Sequence, residues 1–297
     1  MASVRPDSLV PIVRLFLSLL GGFLAVPCPA DEITHGDPSV RRSVDIHVDP
    51  DTGRSAVRWL LGTSATSSGE YAGSDRRDLS LRPLLALRYG RLKLASSGSS
   101  SLLDFGTAPD ESGASLDLLA SSRWKLRAGL RIGGGRPSSD SPDLAGLPDI
   151  RRTVLARGSA GYLMTPNLGV NATLAWDLLG RGNGATWSNS LDYRRRLRAD
   201  TELRLSGGFT VGNGTHMNSF YGVPLSARTA DRPEYRPGGG VKDVGAGIGF
   251  ISALGTSWIA FGGVSYTRLL GDALDSPLTR QNHDVSATVG LAWKCCR

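Results

Sequence analysis

Every second residue of RWKLRAGLRIGG, positions 123–134, belongs to one of two faces. Trp124, Leu126, Ala128, Leu130 and Ile132 are apolar. Arg123, Lys125, Arg127 and Arg131 are basic. Successive side chains of an extended strand point to opposite sides, so the pattern predicts a strand with one oily and one cationic face. The rhythm returns at 202–211, where Leu203, Leu205, Phe209 and Val211 oppose Glu202, Arg204, Ser206 and Thr210. It returns at 167–177, with Leu168, Val170, Leu174 and Trp176 on one face, and at 285–294, with Val285, Val289, Leu291 and Trp293. At 187–197 it sets Trp187, Leu191, Tyr193 and Leu197 against Ser188, Asp192, Arg194 and Arg196. Segments around 81–95, 153–163, 243–252 and 257–267 are strand-like with more mixed faces.

Turn signals divide these runs: a tight hairpin through Gly90, then TPN at 165–167, RGNG at 181–184, RADT at 198–201 and ALGT at 253–256. Segments of about ten residues with alternating hydrophobicity between turns are the pattern of a transmembrane β-barrel. Alternation alone leaves two architectures open. In a membrane barrel the oily face meets lipid, and the cationic face lines a wet lumen where Glu202, Asp192 and Asp177 offset its charge. In a soluble β-sandwich or lipocalin-like barrel the oily face turns inward. Trp and Tyr near strand ends fit the aromatic girdle of a membrane barrel. The expectation is an all-β chain, a single antiparallel transmembrane β-barrel of about ten to twelve strands.

The N-terminus changes the compartment. Arg5 and Arg14 precede the apolar run LFLSLLGGFLAV at 15–26, too short for a spanning helix, and PCPA leads into Asp31. Residues 1–30 are expected to form a cleaved signal peptide, 31–55 a flexible periplasmic segment and 56–297 an outer-membrane barrel. Net charge is +7. The arginines are spread through alternating strands and form no single patch with interleaved aromatics, which argues against nucleic acid.

Four stretches resemble the MipA/OmpV family, the MltA-interacting outer-membrane proteins. YAGSD carries Tyr71, Gly73, Ser74 and Asp75. GLPDI spans 146–150. FYGV carries Phe220, Tyr221, Gly222 and Val223, and it pairs with EYRPGGGVKDVG, which carries Tyr235, Gly240, Lys242 and Asp243. YTRLLGDALDSPLTR carries Gly271, Asp272, Ser276 and Pro277. The resemblance runs from about residue 56 to the end and implies a monomeric barrel in outer-membrane lipid. It further implies a scaffold for a lytic transglycosylase and a penicillin-binding murein synthase, or else a porin-like channel. Family chains end in an aromatic residue, whereas WKCCR places Cys295 there.

Candidate chemistry is sparse. His283 and Ser286 are three residues apart, which sets them on opposite strand faces, and His216 lies in a loop without a matching Ser. Both histidines are expected at surface loops, with no catalytic activity. His35 and His47 stand among acids, and DPDTG at 49–53 lacks the distal ligand of a calcium loop. No metal or cofactor is expected. The basic residues Arg123, Lys125, Arg127, Arg131, Arg194, Arg196 and Arg204 are expected to face the lumen, either as an anion-attracting lining or paired with acids in a plugged interior. The expected role is a structural scaffold binding envelope partners. The alternative is a narrow, anion-preferring passive channel.

Overall fold

The computed structural model describes residues 57–96 and 113–295. The expected signal peptide and the 31–55 segment lie outside them. Twelve antiparallel strands close into one barrel, each pairing with its neighbours in sequence and β1 with β12. They are β1 (Arg58–Gly69), β2 (Arg77–Tyr89), β3 (Leu92–Ala95), β4 (Gly113–Ala120), β5 (Trp124–Gly133), β6 (Thr153–Leu163), β7 (Leu168–Asp177), β8 (Ala185–Arg196), β9 (Thr201–Gly212), β10 (Gly240–Leu254), β11 (Trp258–Leu269) and β12 (His283–Cys295). In hydrocarbon an unpaired backbone N–H or C=O costs several kcal/mol, so only a ring without free edges suits these sequences. The ring closes where Trp59 pairs with Cys295 and Ser67 with Ala287.

Alternation fixes which face meets lipid. On β5, Leu130 and Ile132 are 52% and 73% exposed while Arg127 is 8% exposed. Leu126 and Leu291 point outward with them, as do Val170, Leu174, Phe250 and Val289. A one-residue slip would place Arg127 in the hydrocarbon. The band is trimmed by aromatics: Trp59 packs edge-on to Trp293 at 4.9 Å, and Trp124 meets Tyr162 at 4.7 Å. With its apolar outer wall and closed ring, this is an outer-membrane barrel, and the protein resides in the outer membrane.

The two ends differ. At one, turns of two to four residues join the strands, and the described chain both starts and finishes there. Short turns mark the periplasmic side of such barrels. At the other, the loops 70–76, 134–152, 178–184, 213–239 and 270–282 project outward. They contain two short helices, α1 (Gly214–Tyr221) and α2 (Gly271–Leu274).

The lumen is not uniformly polar. Leu60, Leu84, Ala86, Ile251, Ile259 and Ala292 form a buried cluster on the inner wall of β1, β2 and β10–β12. Phe261 packs against it, with its ring lying across Gly290, where an added Cβ would sit 2.2 Å from Phe261 Cζ. The mixed faces of 243–252 and 257–267 have this cause: both sides of those strands are apolar at the short-turn end. Beside this wall, Asp117 on β4 accepts from Arg127 Nε at 2.6 Å and Lys93 Nζ at 2.9 Å, with Arg88 Nη2 at 3.9 Å.

Candidate functional site

The family-like stretches, remote in sequence, meet over the external mouth. Leu144 and Leu147 from the β5–β6 loop, Val223 and Ala227 from the β9–β10 loop, and Leu278 from the β11–β12 loop form one buried cluster flanked by Tyr71 and Tyr235. Met217 and Tyr221 of α1, Leu269 and Ala273 form a second beneath it, flanked by Phe220. Tyr221 is 2% exposed. These clusters lie over the mouth and bury side chains that the loops could not bury alone.

Polar bonds then lock the loops to one another, since each buried backbone group needs a partner. Tyr71 Oη donates to the Leu278 carbonyl at 3.1 Å. Gly73, with φ +98° and its would-be Cβ 3.1 Å from Thr279, offers its carbonyl to the N–H groups of Arg280 and Gln281 at 2.8 and 2.9 Å. Ser74 Oγ accepts from Arg76 N at 3.1 Å, and Asp75 is exposed. Ser276 Oγ donates to the Tyr221 carbonyl at 2.6 Å, beside half-buried Pro277. Val223 and Tyr235 exchange backbone bonds of 2.9 and 3.0 Å. Tyr235 Oη donates to Asp272 O at 2.9 Å, and Asp272 Oδ2 accepts from Gly238 N at 2.6 Å. Gly222 caps α1, Gly271 opens α2 and Gly240 opens β10. The Lys242 carbonyl accepts from Leu270 N at 2.9 Å while its ammonium pairs with Asp243 at 2.5 Å.

Three residues that sequence reading passed over complete the lock. Arg136 donates to the carbonyls of Phe220 and Ser219 at 2.5 and 3.2 Å, and burial lowers its pKa. Arg232 donates to the carbonyls of Asp143, Ala145 and Ala227 at 2.9–3.1 Å. Asp143 faces Arg76 and Arg280, each at 3.7 Å. Burial, then the nearby Asp143 carboxylate, pushes the Tyr71 phenol up to about 12. Burial likewise raises Tyr221.

The basic residues of the lumen fall into different settings. Arg127 is held by Asp117, and Arg204 Nε donates to Glu202 at 2.9 Å. Lys125, Arg131 and Arg194 are half-buried, while Arg123 and Arg196 are exposed at the short-turn rim. Asp192 accepts from Ser190 Oγ at 2.8 Å. Asp177 takes a role different from charge offset: its carboxylate accepts from Asn183 N at 3.0 Å and Leu179 N at 3.1 Å, shaping the β7–β8 loop. Glu202 pairs as expected, and a further charge-pairing acid is Asp117, which the irregular run LDLLA concealed. At mid-height a cavity of about 240 Å³ is lined largely by hydroxyl and amide side chains, among them Thr173, Ser190, Ser206 and Thr210, with Arg157.

The histidines bond to amide and carbonyl groups. His283 meets Asn282 Oδ1 and Gln281 Nε2 at 2.9 and 3.0 Å. His216 does not sit at an open loop surface: it lies half-buried in α1, its Nδ1 2.9 Å from the Asn183 carbonyl and its ring 4.6 Å from Phe220. Burial lowers its pKa. Among the described residues no cluster of three or more His, Cys, Asp or Glu side chains is placed to hold a metal ion.

Comparison with curated proteins yields no match. Among solved structures, the KdgM porin is similar at 10% identity and TM-score 0.41, covering 79% of this chain and 98% of its own. An outer membrane channel from Pseudomonas putida F1 is similar at 14% identity and TM-score 0.42, covering 84% of this chain and 99% of its own. OmpT of Vibrio cholerae is similar at 7% identity and TM-score 0.36, covering 81% and 97%. Over residues 61–295 the sequence matches the family model described as MltA-interacting protein MipA, and the chain belongs to that family.

Proposed function

We propose that the protein is a non-catalytic, monomeric scaffold of the outer membrane whose periplasmic rim holds envelope proteins with acidic surfaces, a murein hydrolase or synthase among them. One observation carries this. Arg91, Arg123, Arg195, Arg196 and Arg198 stand exposed at the short-turn end, and their guanidinium groups make no ion pair among the described residues. Among the described residues, Asp200 is the one exposed acid beside them there. Arginine forks pair with carboxylates in bidentate fashion, and a one-signed rim steers an oppositely charged partner. The family description, MltA-interacting, points to the same class of partner. The test is capture of a purified lytic transglycosylase, and separately of a penicillin-binding murein synthase, by the detergent-solubilised barrel. Capture that weakens with salt and disappears in the Arg195→Glu/Arg196→Glu/Arg198→Glu variant is expected. Absence of capture at low salt rejects the scaffold.

A second function is favoured by the mid-lumen cavity and the cationic wall beside it: a narrow, anion-preferring channel. Steady anion-selective steps in a planar bilayer would replace the scaffold with the channel. Silence in the bilayer together with capture is the expected result.

A further inference from the structure

The β7–β8 loop lies at the external edge of the membrane, and Asp177 sets its shape. Besides Asn183 N and Leu179 N, the Asp177 carboxylate accepts from the Thr153 hydroxyl. Two further bonds tie the loop to the start of β6: Arg181 Nη1 donates to the Arg152 carbonyl at 2.8 Å, and Asn183 Nδ2 to the Arg151 carbonyl at 3.3 Å. Arg151, Arg152 and Arg181 are thereby brought together on rigid backbone. All three are exposed, and none pairs with a carboxylate among the described residues.

Beside Arg181 opens a cleft of about 620 Å³ between the β5–β6 loop, the β7–β8 loop and α1. That volume lies within the range of ligand sites, about 300–1,000 Å³. Arg136, Arg181 and Arg236 line it. Its one lining acid, Asp149, is engaged by its own loop, accepting from Ser138 N at 2.6 Å. Arg236 has Glu234 at 2.8 Å. The cleft therefore keeps a surplus of positive charge.

The same loop carries exposed apolar side chains. Leu178 and Leu179 are 49% and 50% exposed, following the outward Trp176 of β7 and near Trp187 of β8. A soluble anion would gain nothing from them. A zwitterionic phospholipid brings an amine for every phosphate and would leave several guanidinium groups unmatched. Clustered arginines above a leucine-bearing wall fit a molecule with more than one phosphate and with acyl chains.

We propose that this cleft binds a multiply phosphorylated glycolipid of the outer leaflet, its phosphates on Arg181 and Arg236 in the cleft and on Arg152 at its edge, and its acyl chains along Leu178, Leu179 and Trp176. The site is independent of the periplasmic rim and of the partner bound there. Arginine–phosphate contacts are charge-assisted and bidentate, so loss of two of them weakens binding roughly ten-fold or more. The test uses the full chain in detergent and bis-phosphorylated lipid A as probe, read by native mass spectrometry and by quenching of tryptophan fluorescence. Comparators are the same lipid without phosphates, the phosphorylated disaccharide without chains, and a zwitterionic phospholipid.

Binding of the bis-phosphorylated lipid alone is expected. Arg152→Ala/Arg181→Ala should weaken it roughly ten-fold or more, and Leu178→Asn/Leu179→Asn should weaken it as well. Heat-modifiable gel migration certifies that each variant is folded. Equal binding of the dephosphorylated lipid overturns the proposal. So does equal binding of the chain-free disaccharide, which would mark a site for soluble anions, and so does unchanged affinity in folded arginine variants.

Discussion

The two ends of the barrel are packed differently, and each rests on different physics. The external cap is made of loops that share apolar clusters and exchange backbone hydrogen bonds. Its charge is balanced, with nine Arg against nine Asp and Glu in the loops 70–76, 134–152, 178–184, 213–239 and 270–282. Among the described residues the periplasmic end has only short turns. Its inner wall carries Leu60, Ile251 and Ile259 on one arc and the Asp117 cluster on the next, and its exposed rim sets several arginines against Asp200 among the described residues. The cap's charges cancel in total but not in place, with Arg151, Arg152 and Arg181 gathered at one side. At the rim the arginines simply outnumber the acids among the described residues.

The largest way to break the comparison is Asp117→Ala. It leaves Arg127 and Lys93, both under one-tenth exposed, without their shared carboxylate. Removing one side of a buried charge pair costs about 3–5 kcal/mol. The expected outcome is a lower midpoint of heat-modifiable migration in urea, with the cap still resistant to protease below that midpoint. Next is Tyr221→Ala, a large cut in a fully buried residue of the cap, expected to cost about 3 kcal/mol. Here protease should cut the β9–β10 and β11–β12 loops while the gel shift persists, because the ring beneath is intact. If that cut also abolishes the shift, cap and ring form one cooperative unit.

Gly290→Ala sharpens the periplasmic side. Its new methyl meets the Phe261 ring, and overpacking of this kind costs roughly 1–3 kcal/mol. The smallest effects come from pH and fall on the cap alone. His216 is held low by burial, so an unfolded chain takes up its proton first. The histidine's contribution is full above its ordinary 6.5 and fades as pH drops below that value. Tyr71 acts at the other limit: raised from 10.0 to about 12, it contributes fully below 10 and loses that contribution as pH rises between the two values. Protease access to the loops, followed from pH 5 to 7 and from pH 9 to 12, should widen at both extremes.

Strands with a wet inner face could be read directly from the sequence, because lipid on one side and water on the other impose a period of two. Strands β10 and β11 were blurred because Ile251, Ile259 and Phe261 are apolar on the inner side too. Strand β4 was hidden because a register shift between Asp117 and Leu119 breaks its alternation, and with it went the charge-pairing acid. The cap's residues were visible as four separate likenesses. That they form one object depends on contacts between loops more than a hundred residues apart, such as Tyr71 with Leu278, for which one sequence has no periodicity. Arg136 and Arg232 escaped for a related reason: they act on carbonyl groups, which every residue carries.

The seam where Trp59 meets Cys295 joins the earliest strand of the ring to the latest. The hydrogen-bond circuit is complete only once β12 is in place: until then β1 keeps an unmatched edge. A block to insertion of that final strand therefore leaves no smaller barrel behind, only a sheet with two open margins that the bilayer will not accept.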